Sequence, residues 1–139
     1  MEKKYVSVIT DGELYGIDIM LIDSIVRMLP ITRIPGSQDY FPGVINLRGE
    51  VVPVLSLRKR FGLEEAAYGN RTRIIILKPD ASDKVGIIVD EVREVLQIAD
   101  EDIDMINDSG DRNRFSSGIA RTEAGLVSLL KIGAVLSGE

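Results

Sequence analysis

The 139-residue sequence contains no cysteine and no histidine. Without cysteine there is no disulfide and no thiolate chemistry, which fits a reducing compartment. Without histidine the usual general base and the commonest metal ligand are gone. Three motifs are also missing: a Gly-x-Ser-x-Gly nucleophile turn, a phosphate loop ending in Gly-Lys-Ser/Thr, and a Gly-x-Gly-x-x-Gly dinucleotide loop. An enzyme is therefore the least expected reading, and no cofactor is expected. No unbroken apolar run exceeds that of Ile74 to Leu77, far short of a membrane span. Met1 to Ile9 enters a strand pattern directly, without the apolar core of a signal peptide, so a cytoplasmic location and no membrane insertion are expected.

Charge is scarce in one sign and uneven. The formal net charge is −5; residues 1–62 hold eight Lys+Arg against seven Asp+Glu, and residues 63–139 hold nine against fifteen. An acidic second half without a basic run argues against nucleic acid as a partner. The acidic residues Asp100, Glu101, Asp102, Asp104, Asp108 and Asp111 do not fit a calcium loop: with Asp100 as first ligand, the sixth position is Met105 rather than Gly. A solvated acidic loop is expected from Asp100 to Arg114.

What is present is a dense apolar hairpin. Pro42 to Leu57 reads as strands Val44–Arg48 and Val51–Ser56 around Gly49, a residue suited to a tight turn. Pro53 cannot donate to a ladder, which predicts an edge strand or a bulge there. The stretch is echoed seventy-five residues later. Gly43, Val44, Val51, Val52, Val54, Leu55 and Leu57 fall on Gly118, Ile119, Leu126, Val127, Leu129, Leu130 and Ile132. The tip is not echoed, because Asn46-Leu47-Arg48-Gly49 becomes Arg121-Thr122-Glu123-Ala124. A second echo sets Tyr15-Gly16-Ile17 against Val85-Gly86-Ile87, and Ile22-Asp23-Ser24-Ile25 against Val89-Asp90-Glu91-Val92.

In chain order, Lys4 to Thr10 alternates as a strand, Asp11-Gly12 turns, and Leu14 to Asp18 returns. The apolar spacing from Ile19 to Val26 predicts about two helical turns capped by Asp18. Leu29 to Pro42 reads as a loop. Leu57 to Leu63 is a helical turn closed by Gly62, and Glu64 to Asn70 a polar connector. Arg71–Lys78, Lys84–Asp90 and Arg93–Ile98 are strands, with a turn from Pro79 to Asp83. Phe115–Arg121 and Gly125–Lys131 repeat the hairpin before a short C-terminal helix. Many short strands with glycine turns predict an all-β fold of small barrels with short helices. Two pseudo-repeat halves, about 1–63 and 71–139, are each marginal alone and are expected to share apolar surface, an exchange of first strands being one route.

Three surfaces carry candidate function, each with a structural alternative. Arg48 is a solvated turn residue, or a local partner of Glu50, or a guanidinium facing a partner carboxylate or carbonyl. The apolar stretch Ile19 to Val26 and its echo Val89 to Val95 are either core or the walls of a groove for a partner helix. Ile31, Ile34, Tyr40 and Phe41 either close a barrel end or form an interface.

Taken together, Tyr15-Gly-Ile-Asp-Ile19, Ile31-Thr-Arg-Ile-Pro35, Gly43-Val-Ile-Asn-Leu-Arg-Gly49, Val52-Pro-Val-Leu-Ser-Leu-Arg58 and Val85-Gly-Ile-Ile-Val-Asp90 resemble the CheW family of bacterial chemotaxis coupling proteins. The resemblance covers nearly the whole chain in order, and the Gly43–Gly49 run is its most specific part. It implies two intertwined five-stranded SH3-like barrels that exchange their first strands. It implies a non-enzymatic adaptor between chemoreceptor cytoplasmic tips and the regulatory domain of the histidine kinase CheA, within membrane-receptor arrays. By motif it places Ile22, Ile25, Arg48, Gly86, Val92 and Val95 on or near the receptor groove, and Ile31, Ile34, Phe41 and Val44 on the kinase side. Ser24 stands where some members carry Glu. No receiver or kinase segment occurs in the 139 residues, so a stand-alone coupler is expected. The rival is an SH3-like barrel that binds a peptide or small ligand outside chemotaxis.

Overall fold

The computed structural model describes residues 1–79, 83–105 and 114–137. Most of the predicted turn after Pro79, and Asp108 and Asp111 of the acidic run, lie outside the described residues. The described strands are β1 (Glu2–Thr10), β2 (Glu13–Asp18), β3 (Ile22–Arg27), β4 (Gly43–Leu47), β5 (Glu50–Ser56), β6 (Arg73–Leu77), β7 (Val85–Val89), β8 (Glu91–Ala99), β9 (Ile103–Met105), β10 (Ser116–Thr122) and β11 (Gly125–Leu130). Two short helices, α1 (Leu57–Arg60) and α2 (Ile132–Leu136), follow β5 and β11. The fold is all-β with short helices, built as two small SH3-like barrel units.

One unit is Leu21–Glu91. Its sheet runs β3-β6-β7-β5-β4. Ile74, Ile75, Ile76 and Leu77 of β6 are all fully buried, as suits a β-branched run covered on both faces. Ile45, Leu47, Val52, Val54, Ile74, Ile76 and Ile88 form its core, with Val26, Met28, Leu29 and Ile31 packed against it. The other unit joins Met1–Met20 to Val92–Glu139. Its sheet runs β8-β1-β2-β11-β10, with the three-residue β9 added beside β10. Tyr5, Ile98, Ala120, Val127 and Leu129 form its core. Thus the compact units do not coincide with the two sequence halves, since the first hairpin lies in the unit of the later strands.

The echoes correspond to matched registers. In the first hairpin Gly43, Val44, Ile45, Asn46 and Leu47 face Val54, Pro53, Val52, Val51 and Glu50. In the second, Gly118, Ile119, Ala120, Arg121 and Thr122 face Leu129, Ser128, Val127, Leu126 and Gly125, the same pairs seventy-five residues on. Each hairpin then pairs in parallel with a strand bearing the echoed glycine: Val54 with Gly86, and Leu129 with Gly16. These glycines allow close approach. A β-carbon on Gly86 would lie 2.7 Å from Ile74 Cγ2 and 2.9 Å from Val54 Cγ1, and one on Gly16 would lie 2.9 Å from Leu129 Cδ2.

Two expectations fail. Ile19 to Val26 is not a helix: Ile19–Leu21 is one 3-10 turn, and Ile22–Arg27 is the edge strand β3, antiparallel to β6. Ile22, Ile25 and Val26 are β-branched and lose side-chain freedom in a helix, whereas β6 offers them a ladder. Asp18 still caps the 3-10 turn, its Oδ1 accepting from Met20 N at 3.0 Å. Pro53 is on neither an edge nor a bulge, because β5 lies between β7 and β4. It is tolerated because Val44, opposite it, directs its N–H and C=O away to Thr32, at 2.9 and 2.8 Å, and the β5–β7 ladder starts only at Val54. In the predicted acidic loop, Asp100–Asp102 forms a 3-10 turn and Ile103–Met105 forms β9.

Candidate interaction surface

The tip of the β4–β5 hairpin is a two-residue turn with Arg48 at φ 53° and Gly49 at φ 87°. Positive φ at both central positions is the type I′ geometry whose twist matches a hairpin. Asn46 Oδ1 accepts from Gly49 N at 2.9 Å and steadies it. The first hairpin of the chain makes the same turn with Asp11 at φ 52° and Gly12 at φ 78°. Aspartate tolerates the left-handed region well; arginine does not. Arg48 is exposed and makes no hydrogen bond or ion pair among the described residues. Of its two structural alternatives, the local pair with Glu50 is not seen, and the solvated turn residue agrees with its exposure. Instead Glu50 Oε1 lies 3.3 Å from Lys84 Nζ. The echoed tip Glu123-Ala124 has no positive φ at either position, only at Gly125 behind it. The two tips differ in backbone as well as charge.

In the Leu21–Glu91 unit, β3 presents alternate faces. Ile22, Ser24 and Val26 are half-buried while Asp23, Ile25 and Arg27 are exposed. The register slips between Ile22 and Ser24, leaving Asp23 in a bulge. Ile25 is 40% exposed. Ser24 Oγ is buried and has no hydrogen-bond partner among the described residues. Gly86 is buried and faces Ile74 and Val54, so it shapes the sheet rather than presenting a surface. In the other unit, Val92 is half-buried and Val95 of β8 is 53% exposed.

The segment between β3 and β4 is strapped down. Two bonds join Thr32 to Val44, and Ser56 N donates to Tyr40 O at 2.8 Å. Ser37 Oγ donates to Ile34 O at 2.9 Å and to Phe41 O at 3.1 Å. The buried Arg60 guanidinium lies 4.5 Å over the Tyr40 ring, and Phe41 tilts against Tyr40 at 5.2 Å. Ile31 turns inward onto the core; Phe41 and Val44 are half-buried; Ile34 stands out, 45% exposed. Next to Val44 on the outer face of the hairpin, Val51 is 72% exposed and Pro53 is also exposed. Sequence reading missed both as surface residues. The signal was the period-two alternation in which Val52 and Val54 take the core face and leave Val51 and Pro53 outside.

Among the described residues there is no group of three or more acidic side chains able to hold a metal. Among the described residues no helix is long and apolar enough to cross a membrane. The arrangement offers apolar side chains, a free guanidinium and braced turns, which are means of binding.

The sequence model of the CheW-like domain matches residues 4–139. The chemotaxis protein CheW of Helicobacter pylori is 33% identical over 135 residues, covering 96% of this chain and 81% of that protein. CheW of Bacillus subtilis is 34% identical over 139 residues, covering 99% and 88%. Among solved structures, the scaffolding protein TtCheW from Thermoanaerobacter tengcongensis aligns with a TM-score of 0.85 at 36% identity, over 94% of this chain and 90% of that one. The chain belongs to the CheW-like domain family.

Proposed function

We propose that the chain is a non-enzymatic chemotaxis scaffold that couples the cytoplasmic tips of chemoreceptors to the regulatory domain of the histidine kinase CheA. The observation that carries this reading is Arg48. An arginine is held in a left-handed turn at the tip of an apolar hairpin, with no partner of its own among the described residues. Unrelieved backbone strain at an exposed charge points to a role outside the fold. In this reading Ile22, Ile25, Arg48, Val92 and Val95 are the receptor-side residues, and Gly86, buried against Ile74 and Val54, allows close packing within the sheet of the Leu21–Glu91 unit. Ile31, Ile34, Phe41 and Val44 belong to the kinase side, where Ile34 is the exposed member and Tyr40 and Arg60 hold the segment in place.

The mechanism is thermodynamic. If bound receptor changes the scaffold's affinity for the kinase, bound kinase changes its affinity for the receptor by the same factor, because the coupling free energy is reciprocal. A receptor state that changes one contact therefore shifts the kinase. The test is calorimetric titration of the chain with a CheA regulatory domain and a chemoreceptor cytoplasmic fragment, separately and then with the other partner saturating. Binding to both, with each strengthening the other, is the expected result. Binding to neither would overturn the proposal.

A further inference from the structure

We infer that Lys84 is a positioning residue for the partner-facing side of the Leu21–Glu91 unit, holding the β3 bulge and the β4–β5 tip in register; this rests on the coupling function proposed above. Lys84 lies one residue before β7. Its Nζ is 3.3 Å from Glu50 Oε1 and 3.8 Å from Asp23 Oδ2. Its side chain is 23% exposed, against 33% for Asp23 and 61% for Glu50.

The two carboxylates sit at sensitive places. Asp23 is the extra residue of the β3 bulge, flanked by Ile22 and Ser24 and followed by Ile25. A bulge re-aims the side chains around it. Glu50 pairs with Leu47 and closes the turn that presents Arg48. In the sheet, β6 and β7 separate β3 from β5, so no backbone ladder joins the two places. The Lys84 ammonium spans that gap. Without it, two carboxylates drawn toward one point would repel, and both the bulge and the turn would lose a fixed reference. A lysine at the start of a predicted strand gives little sign of this in the sequence.

The test uses the full chain with Lys84→Met, which keeps most of the aliphatic stem, Lys84→Arg, and Glu50→Gln. Amide hydrogen exchange needs no partner. In Lys84→Met, exchange in the Arg48–Val51 turn and at Asp23–Ile25 should speed up by about threefold to tenfold. Amides of β6 should be unchanged. In titrations with a chemoreceptor cytoplasmic fragment, Kd should rise by about fivefold or more. Lys84→Arg should restore both readouts, and Glu50→Gln should add little to Lys84→Met. Unchanged exchange at turn and bulge, or faster exchange with unchanged Kd, overturns the inference, as does faster exchange in β6, which would mark Lys84 as a general stabiliser. If the wild-type chain does not bind the fragment, the coupling function is what fails, and the inference falls with it.

Discussion

Arg48→Asn should make the protein more stable and its coupling weaker. An L-residue in the left-handed region costs about 1–2 kcal/mol relative to its ordinary conformations, and Asn is among the side chains that tolerate it best. Arg48 sits there at φ 53° and forms no bond among the described residues that its removal would break. The turn-steadying bond from Gly49 N to Asn46 Oδ1 does not involve the Arg48 side chain. Asn-Gly is the favoured type I′ pair. Relief of roughly half the backbone cost leaves a gain of about 0.5–1 kcal/mol, or about 2–3 °C in melting temperature for a chain of this size. Cutting charge-assisted bonds at a desolvated interface costs about 2–5 kcal/mol, at least thirtyfold in affinity. The two effects have opposite sign, which no loss of folding can imitate. Ala is the poorer probe, since at this φ it keeps the backbone cost. Arg48→Lys should recover binding only in part, because an ammonium lacks the planar fork. The assay is a thermal melt beside titration with a chemoreceptor fragment and reconstituted kinase activation. A melting temperature lowered by several degrees with unchanged binding would show that Arg48 serves the fold.

Gly86→Ala should cost about 1–3 kcal/mol, because its methyl would stand 2.7 Å from Ile74 Cγ2 in a packed core; a denaturant melt with unchanged midpoint would contradict this. Asp90→Asn should lower stability by about 1–2 kcal/mol, since Asp90 takes Arg58 Nε at 2.9 Å and Nη2 at 2.7 Å in a half-buried fork that ties α1 to the end of β7. The same melt reads it, and a shift no larger than that of an exposed pair would reject the estimate. No side chain has its ordinary pKa between about pH 6 and 9, and stability should fall above about pH 10. The hydrogen bond and charge of Asp18 raise Lys3, and burial raises the Tyr15 and Tyr68 phenols, so the folded state holds these protons more tightly than the unfolded one and loses that advantage as pH rises through the folded values. Absorbance titration of the tyrosines together with melts across that range tests it; ionisation of Tyr15 or Tyr68 below pH 10 would refute it.

The parts of the fold visible in the sequence are those governed by short-range rules. Asp11-Gly12 and Arg48-Gly49 announced tight turns, and both are type I′. The seventy-five-residue echo matched a repeated register, because register follows from which side chains must face the core. The misreadings arose where a partner strand decides. Ile19 to Val26 has helical spacing only because Ile25 faces out and Ser24 faces in, the reverse of a simple amphipathic strand, and β6 supplies the ladder that settles it. Pro53 stands in a central strand because Thr32, twelve residues before Val44, takes the bonds that would otherwise point at it. The exposure of Arg48, Ile25 and Val95 was legible, but the local backbone around them was not. The arginine at the tip was singled out by its contrast with Glu123, yet its left-handed backbone, the source of the opposite signs predicted for Arg48→Asn, depends on turn geometry. Lys84 opened a predicted strand with nothing to set it apart, and its meaning comes from two carboxylates thirty-four and sixty-one positions away in sequence that the fold brings to one ammonium. Residues that make a binding surface are recognised by type, whereas residues that aim it are recognised only by what the folded strands set beside them.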